Sequence, residues 1–414
     1  MQNFNRATKY LQNGNVEKAL QFYKRQLKEH EFKELYLNMG NCYRLLGKDK
    51  DSYNSYLKSS DHSTPFADGT FGVYPHALSN LGLLEYTWGN DDAAIIQYTA
   101  ALDKDPIHLD SIWNYSNAYL RKLCSLEEVD VEAAWKMYEY RFNRTTPTHV
   151  DRDIQRWDGV SKGKSIIVVA EQGFGDKIMF GRYIHCLREY FSEVWVQCPI
   201  EMKDIFSDYK TCQVSLDSNA EVAVPYCSLA SVFKNVRSDW LAGKFGTKKF
   251  TSGFNIGIEW AGSATHSNNK YRSVLPTYFL DLAKYGNLYS IRPGAPAVRG
   301  VKALNSSSWA ESAEIVNGLD LIISVDTSLV HLAGSLGKEC WMLQPLKETD
   351  FRWGNNTMVE DNIWYPSVKV IRNPGSWPRV FERVCEKLDI MQLREYKNKM
   401  QGMIGDMNAF SIQR

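Results

Sequence analysis

The chain has 414 residues, which is enough for two or three domains of ordinary size. Its formal net charge of +1 argues against a nucleic-acid partner or an electrostatically bound membrane surface. Hydrophobic residues make up 44% and charged residues 23%, as in ordinary globular proteins. The chain opens with no charged-then-apolar leader, and no apolar run approaches about 20 residues. We therefore expect a cytoplasmic protein without a transmembrane segment.

The first 145 residues carry a repeated pattern of glycine, small residue and aromatic residue. Each turn glycine is followed five residues later by a small residue and, four residues further on, by a tyrosine. The three copies are Gly14–Ala19–Tyr23, Gly47–Ser52–Tyr56 and Gly89–Ala94–Tyr98, and a fourth copy keeps only Ala134 and Tyr138. Two helices that cross closely need a small residue at the contact and a large one beside it. The pattern resembles the tetratricopeptide repeat and predicts four helical hairpins over residues 1–145.

Two features leave the role of this region open. A loop from Ser60 to Tyr74 lengthens the interval between the second and third copies, so an ordinary helical bundle with accidental spacing is the alternative. Helical repeats usually bind peptides or proteins. We expect either a protein partner, self-association through the repeats, or simple support of the following domain.

Beyond a polar linker that covers residues 144–156, two apolar runs end abruptly in polar turns. The first run, Ile166–Ala170, leads into Glu171–Asp176, and the second, Leu321–Val325, leads into Asp326–His331. Each pattern is typical of a buried strand that feeds a helix. Ligands bind at the carboxyl ends of strands in open α/β sheets. We therefore predict two α/β lobes that face a shared cleft, a form that suits an enzyme acting on a phosphate-bearing substrate.

Strands and helices alternate through most of this region, which predicts parallel sheets. In the first lobe, residues 157–250, the predicted strands are 165–170, 194–196 and 221–224, and the predicted helices are 176–191 and 202–209. In the second lobe, residues 251–385, the predicted strands are 254–258, 288–291, 321–325, 339–343 and 368–371, and the predicted helices are 277–283, 308–317, 328–336 and 377–388. A helical tail is assigned to residues 386–414.

Short motifs in these lobes resemble a glycosyltransferase family. They are Trp157-x-Gly159, Glu171-Gln172-Gly173-x-Gly175-Asp176, Arg182-Tyr183, Trp260-Ala261-Gly262, Arg272-Ser273, Val325-Asp326-Thr327-Ser328-x-x-His331, Asp350-x-Arg352-Trp353 and Trp364-Tyr365-Pro366. That family joins tetratricopeptide repeats to a domain similar to the lipopolysaccharide heptosyltransferases. The resemblance implies an α plus α/β protein, in which the repeats precede a GT-B fold of two Rossmann-like lobes. It also implies inverting, metal-independent transfer with the donor nucleotide in the C-terminal lobe.

The expected donor is a nucleotide-diphosphate sugar, and its diphosphate needs several hydrogen-bond donors. Helix N-termini bind phosphate through free backbone N–H groups, which favours Asp326, Thr327 and Ser328 as donor-binding residues. Arg272 is a candidate because a guanidinium can fork onto phosphate oxygens, and Lys270 is a second one. His331 shares a helix face with Ser328, and a packed, hydrogen-bonded histidine is the alternative.

The acceptor hydroxyl must lose a proton as it attacks the sugar. The resemblance assigns the general base to Asp176, although an aspartate at this position would equally cap the helix. Glu171 and Gln172 are candidate acceptor contacts. The aromatic-rich segment with Asp350, Arg352 and Trp353 is a candidate sugar contact.

Metal-ligand patterns are missing from the sequence. No two of the eight cysteines form a C-x-x-C pair, so we expect reduced, packed thiols. No Asp-x-Asp sequence falls in a loop of either lobe, and Asp151–Asp153 lies in the linker. We expect no metal and no cofactor beyond the nucleotide sugar.

The chain departs from the family pattern after the strand at 288–291. The expected Leu-Gln segment is replaced by Ile291-Arg292-Pro293, and the stretch from Gly286 to Ser306 is short. This stretch often helps to hold the nucleotide base, so the sequence leaves the donor open. It also leaves open whether the acceptor is a glycan or a protein hydroxyl. A sugar-nucleotide epimerase of the same fold and a repeat-based scaffold with an inactive transferase domain are the alternative functions.

Overall fold

The computed structural model describes residues 1–144, 154–214, 218–234, 236–266, 268–291, 297–345, 347, 349–373 and 375–412. By its internal contacts the chain forms two compact units. The helical unit comprises Met1–Thr148 with Thr349–Asn355, and the α/β unit comprises His149–Glu348 with Asn356–Arg414. Most of the predicted linker, including Asp151–Asp153, lies outside the described residues, and so do Arg292 and Pro293.

The helical unit consists of consecutive antiparallel helices, which confirms the predicted helical repeats. They are α1 (Gln2–Gln12), α2 (Val16–Glu29), α3 (Lys33–Leu45), α4 (Asp49–Ser60), α5 (Pro75–Thr87), α6 (Asp91–Leu102), α7 (Leu109–Cys124), α8 (Val131–Tyr138) and the short α9 (Arg141–Arg144). The turn glycines Gly14, Gly47 and Gly89 have φ angles of +75°, +69° and +87°, a conformation that other residues rarely adopt. The predicted insertion lies between α4 and α5.

Close helix crossings explain the glycine–tyrosine pattern. A Cβ atom at Gly40 would overlap the ring of Tyr56, and one at Gly82 would lie 2.5 Å from Cε1 of Tyr98. Both tyrosines are fully buried. The small residue on one helix therefore makes room for the aromatic side chain of its partner, and the contact is renewed in successive hairpins.

The segment Thr349–Asn355, distant in sequence, packs within the helical unit. Phe351 lies 5.5 Å from the ring of Tyr138, and Trp353 is buried. The Asn355 side chain donates to the Gly89 carbonyl at 2.8 Å and to Asp91 Oδ2 at 3.0 Å. Sequence order alone gave no indication of this packing.

The first sheet of the α/β unit has five parallel strands in the order β1-β5-β2-β3-β4. They are β1 (Gln155–Arg156), β2 (Gly163–Val169), β3 (Phe191–Gln197), β4 (Lys210–Cys212) and β5 (Val222–Pro225). The helices are α10 (Phe174–Gly181) and α11 (Leu229–Val232), with 3-10 helices at Ile184–Glu189, Ile200–Met202 and Tyr226–Ser228. Strand order reverses between β2 and β5, so a crevice opens at their carboxyl ends.

The second sheet has six parallel strands in the order β11-β10-β9-β6-β7-β8. They are β6 (Asn255–Glu259), β7 (Asn287–Ser290), β8 (Val301–Ala303), β9 (Leu321–Val325), β10 (Cys340–Leu343) and β11 (Val368–Ile371). The helices are α12 (Asn269–Arg272), α13 (Trp309–Gly318), α14 (Ser328–Ser335) and α15 (Trp377–Ile412), with a 3-10 helix at Pro276–Lys284. Counted from β6, this is the strand order 3-2-1-4-5-6 of doubly wound folds, whose crevice lies between strands 1 and 4.

The observed elements differ from the predicted ones in specific places. The helix predicted over 176–191 ends at Gly181 and continues after a turn as a 3-10 helix. The helix predicted over 202–209 is a series of tight turns, because backbone bonds such as Ile205 N to the Met202 carbonyl span three residues. Such turns bury the same apolar face as an α-helix, so spacing does not separate them.

Candidate functional site

A candidate site in the α/β unit is a cavity of about 410 Å³, within the range of small-ligand pockets. The residues that line it are Phe174, Glu201, Glu259, Ala261, Gly262, Ser263, Ile291, Ser306, Ser307, Ser308, Trp309, Ser312, Thr327, Ser328, Leu329 and Leu332. Most of them lie at or beyond the carboxyl ends of β6, β7, β8 and β9, and Phe174 and Glu201 come from the first-sheet region. The cavity therefore lies at the crevice that the strand order of the second sheet predicts.

The start of α14 forms one wall of this cavity. Thr327 occupies the N-cap position with extended backbone, and the helix proper begins at Ser328. Both residues are half-buried and line the cavity. The first N–H groups of a helix have no intrahelical acceptor, so this wall offers hydrogen-bond donors to an anion.

The start of α13 supplies a second, serine-rich wall, which was not predicted from the sequence. Ser306, Ser307 and Ser308 precede the helix, and the Ser308 hydroxyl accepts from Glu311 N at 3.1 Å as its N-cap. Ser312 donates to the Ser306 hydroxyl at 2.8 Å. Two helix N-termini with associated hydroxyl groups thus reach the same cavity.

Asp326 and Arg272 support the α14 wall from behind. Arg272 Nη1 donates to the carbonyl of Asp326 at 2.9 Å, and both side chains are buried. The Arg272 guanidinium lies against Gly262, where a Cβ atom would overlap it. Among the described residues, no hydrogen-bond partner faces Arg272 Nε. The cation is therefore held directly behind a glycine of the cavity wall.

Lys270, the second basic candidate, is exposed. Its Nζ lies 4.6 Å from the centre of the Tyr271 ring. Lys270 is not among the residues that line the cavity.

Asp176 lies in the first turn of α10, the helix that packs against α14. Its Oδ2 accepts from Gly173 N at 3.1 Å, so the carboxylate stabilises the start of α10. A Cβ atom at Gly175 would lie 2.8 Å from His331 Cδ2 and 3.5 Å from Ser328 Cα. The turn that carries Asp176 therefore abuts the start of α14, although the Asp176 side chain does not line the cavity.

Glu171, Gln172 and a buried lysine hold this turn. Glu171 accepts from Cys227 N at 2.8 Å, which links the ends of β2 and β5 across the crevice of the first sheet. Lys177 Nζ donates to the Gln172 carbonyl at 2.5 Å. Burial lowers the pKa of Lys177, and the neighbouring carboxylate of Asp176 opposes that shift. Lys177 was missed from the sequence because nothing in its spacing distinguishes it from a surface lysine.

His331 belongs to a buried network between the two sheets. Its Nδ1 lies 3.2 Å from the Tyr365 hydroxyl, and the Arg182 guanidinium carbon lies 4.5 Å from the centre of the Tyr365 ring. Arg182 Nη1 also donates to the Trp364 carbonyl at 2.8 Å. His331 contacts the Gly175 turn as described above, so its position is that of a packed, hydrogen-bonded histidine beside the cavity.

The remaining predicted contacts, Asp350, Arg352 and Trp353, lie in the helical unit. Asp350 Oδ1 accepts from Arg352 N at 2.9 Å and from Arg352 Nη1 at 2.8 Å. None of the three lines the cavity of the α/β unit. The structure thus brings Asp176, Arg272, Asp326, Thr327, Ser328 and His331 into one neighbourhood and groups this trio elsewhere.

Glu259 and Trp309 are further lining residues that sequence reasoning missed. Glu259 ends the apolar strand β6, and its side chain is only 7% exposed. A charged residue that ends a buried strand is the signal that would have found it, as at Asp326. The Trp309 ring lies 5.4 Å from that of Phe174, and this aromatic pair edges the cavity.

Comparisons with known proteins find limited likeness. No protein-family model and no curated protein matches the chain. Among solved structures, MamA is 18% identical over 34% of this chain and 75% of its own, with a TM-score of 0.29. YrrB, a TPR protein with an unusual peptide-binding site, is 18% identical over 36% of this chain and 69% of its own, with a TM-score of 0.28. The C-terminal part of a TPR repeat-containing protein from Cytophaga hutchinsonii is 21% identical over 35% of this chain and 52% of its own, with a TM-score of 0.27.

Membrane-spanning helices and groups of metal-binding side chains are both absent from the described residues. None of their helices is long and apolar enough to cross a membrane. They contain no group of three or more histidine, cysteine or acidic side chains that could hold a metal ion.

Proposed function

We propose that this protein is an inverting, metal-independent glycosyltransferase that uses a nucleotide-diphosphate sugar. The observation that carries the proposal is the cavity at the carboxyl ends of β6 and β9, which two helix N-termini reach. Backbone amides at α14, with the hydroxyls of Thr327 and Ser328, suit the diphosphate. The two parallel sheets within one unit support a GT-B fold, with the acceptor on the side of the first sheet.

In the proposed reaction the acceptor hydroxyl oxygen attacks the anomeric carbon of the sugar. Its proton passes to the Asp176 carboxylate, and the bond between the anomeric carbon and the diphosphate oxygen breaks. The leaving diphosphate gains negative charge as that bond lengthens. The amides at the start of α14 stabilise this charge, and Arg272 adds a positive field from behind the wall.

Asp176 can combine the roles of cap and base. Its Oδ2 accepts from Gly173 N–H, and both roles use the same ionised form of the carboxyl group. The position of Gly175 against Ser328 puts this carboxylate near the proposed donor site. Asp176 is half-buried rather than enclosed, so an acceptor hydroxyl can reach it.

The test is transfer by the Asp176→Asn variant. Asparagine keeps an oxygen for Gly173 N–H but cannot take up the proton, so we expect transfer to fall by at least about a hundredfold while donor binding is retained. Asp158→Asn is the matched control, because Asp158 is an exposed turn residue that accepts from Val160 N and Ser161 N. Full transfer by Asp176→Asn would remove Asp176 as the base. If Glu201→Gln abolished transfer instead, the base would be Glu201, which lines the same cavity.

Product analysis and donor binding separate this proposal from the alternatives. A sugar-nucleotide epimerase would convert the donor without an acceptor, whereas the proposed enzyme transfers to a glycan or protein hydroxyl. A repeat-based scaffold would show no thermal stabilisation by any nucleotide sugar. For the helical unit we propose a protein partner, which includes a second copy of this chain or a protein acceptor.

A further inference from the structure

The charge of the helical unit is distributed unevenly along the chain. Residues 1–60 contain 11 lysine and arginine residues against 6 aspartate and glutamate residues, which gives a formal net charge of +5. Residues 61–144 contain 6 against 13, which gives −7. Electrostatic complementarity of this kind steers association, so the first part of one copy attracts the second part of another.

The first hairpin presents two aromatic rings among three cations. Tyr10 of α1 and Phe22 of α2 stack with their ring centres 5.4 Å apart, and both are half-buried. The guanidinium carbons of Arg6 and Arg25 lie 4.8 Å and 4.9 Å from the centre of the Phe22 ring, and Lys18 Nζ lies 5.2 Å from the centre of the Tyr10 ring. All three cations are exposed. These five residues are named the cation–aromatic face.

The cations of this face have no acidic partner in the part of the chain that the structure describes. None of the three forms an ion pair there with an aspartate or a glutamate. Lys18, Phe22 and Arg25 are spaced by four and three residues, so α2 carries them on one side. Tyrosine, phenylalanine and arginine are enriched in protein interfaces. The face therefore suits a partner that is acidic and partly apolar.

The turn between α6 and α7 has the complementary composition. It contains three acidic residues, Asp103, Asp105 and Asp110, and a single cation, Lys104. Ile107 lies among them and is 80% exposed. The Asp105 carboxylate accepts from Ile107 N at 3.3 Å, which stabilises the turn. Residues 103–110 are named the acidic turn.

We propose that the acidic turn of a second copy binds the cation–aromatic face, and that two copies do so reciprocally about a two-fold axis. Ile107 covers the rings of Tyr10 and Phe22, and the aspartates of the turn pair with the surrounding cations. Exposed ion pairs are individually weak, so the interface combines several of them with a shared apolar contact. A reciprocal contact uses both surfaces of both copies and closes at a dimer.

The protein partner proposed for the helical unit is thereby narrowed to a second copy. This inference rests on that part of the proposed function and not on the transfer reaction. Both surfaces belong to the helical unit, whereas the proposed donor cavity belongs to the α/β unit. Self-association and nucleotide binding can therefore be measured separately.

Sedimentation velocity of the full chain tests the pairing by charge reversal. We expect the wild-type protein to form dimers at about 10 μM in about 0.15 M salt, and to dimerise at least about tenfold more weakly in about 1 M salt, because salt screens exposed charges. Arg6→Glu with Arg25→Glu makes the face acidic, and Asp103→Lys with Asp110→Lys makes the turn basic. Each double variant alone should dimerise at least about tenfold more weakly than the wild type.

An equimolar mixture of the two double variants measures whether the two surfaces meet each other. At both contacts an acidic surface then faces a basic one, so heterodimers should form with an affinity within about threefold of the wild-type value. Lys48→Glu with Lys50→Glu is the matched control, because it makes the same change of net charge at the start of α4, away from the rings. This control should change the affinity by no more than about threefold. Circular dichroism and thermal melting check the fold of each variant.

Three results would overturn the inference. The first is a wild-type protein that stays monomeric up to about 100 μM, and the second is dimerisation of both double variants like the wild type. The third is a mixture of folded double variants that forms no heterodimer. A wild-type protein that dimerises as described but binds no nucleoside diphosphate would overturn the proposed transfer and support this inference, so the two failures are distinguishable.

Discussion

Both units use a glycine to allow a close approach, but over very different distances along the chain. In the helical unit, Gly82 of α5 contacts the ring of Tyr98 of α6, the next helix of the same hairpin. In the α/β unit, Gly175 at the start of α10 lies against His331 and Ser328 of α14, about 150 residues further along the chain. The first contact stabilises a local repeat, whereas the second holds the start of α10 against the start of α14, which forms one wall of the proposed site.

This difference explains why the helical unit is visible in the sequence as a whole, whereas the site is visible only in part. A local contact recurs at a fixed spacing, so the pattern can be counted. A contact between distant segments leaves no periodic trace. Substitutions at the two kinds of glycine should therefore separate stability from ligand binding.

The largest effect is expected for Gly175→Ala. The added Cβ would lie 2.8 Å from His331 Cδ2, so buried His331 and the start of α14 must shift. We expect nucleoside diphosphate affinity to fall by about tenfold and the free energy of unfolding by about 2 kcal/mol. Calorimetry and denaturant titration measure the two effects. Gly246→Ala, whose Cβ would meet Glu314 at an ordinary 3.5 Å, is the control.

A loss of stability without a change of affinity is expected for Gly82→Ala. The new Cβ would press on the Tyr98 ring, and overpacking of this kind costs about 1–3 kcal/mol. Amide hydrogen exchange in α5 and α6 should accelerate, while nucleotide binding stays within about twofold of the wild type by calorimetry. Weakened nucleotide binding in this variant would contradict the expectation that the helical unit can lose stability without affecting the ligand site of the α/β unit.

A smaller effect is expected for Asn355→Ala. The amide donates to the Gly89 carbonyl and to Asp91 Oδ2, and Asp91 is a buried partner of Arg121. Loss of these bonds should lower the free energy of unfolding by about 1 kcal/mol. Denaturant melts measure it, and Asn356→Ala, outside the helical unit, is a neighbouring control. An unchanged melt would mean that Thr349–Asn355 contributes little to the helical unit.

The smallest effect concerns the pH dependence of the helical unit. Burial is the main cause that lowers the pKa of His108, and the nearby His76 lowers it further. The carboxylates of Asp110 and Asp105 act in the opposite direction and raise this pKa. The unfolded state takes up a proton near pH 6.5, whereas the folded state resists protonation, so stability decreases as pH falls below that value. In the wild type, His108 Nδ1 accepts from Ser111 N and so caps the start of α7. In His108→Asn the side-chain oxygen of asparagine can accept the same hydrogen bond. Melts at pH 7.5 and 5.5 should differ less in this variant; an equal difference would contradict the account.

The sequence predicted the elements that carry strong local patterns. The hairpins α1–α8 and the buried strands β2, β6 and β9 are of this kind. The strands β1, β4 and β8 were missed because they are two to three residues long and lie at sheet edges, where no apolar run is needed. The helix predicted over 277–283 is a 3-10 helix, Pro276–Lys284, and the sequence does not distinguish the two helix types because both bury side chains three residues apart.

For the site, the sequence indicated residues next to a glycine turn or a strand end. Thr327 and Ser328 were found in this way, and they line the cavity. Ser306–Ser308 were missed because their segment does not end an apolar run. Their hydroxyl groups meet the rest of the cavity lining only in the folded sheet, through contacts that the sequence does not show. The packing of Thr349–Asn355 in the helical unit was equally hidden, since it depends on a long-range contact.

The most direct test of the central claim is hydrogen–deuterium exchange of the wild-type protein with and without UDP, GDP, ADP and CDP. The account predicts that at least one of them slows exchange at the starts of α13 and α14, and leaves α1–α4 unchanged. Protection absent from both helix starts with every nucleotide, at concentrations up to millimolar, would contradict a nucleoside diphosphate site at this cavity.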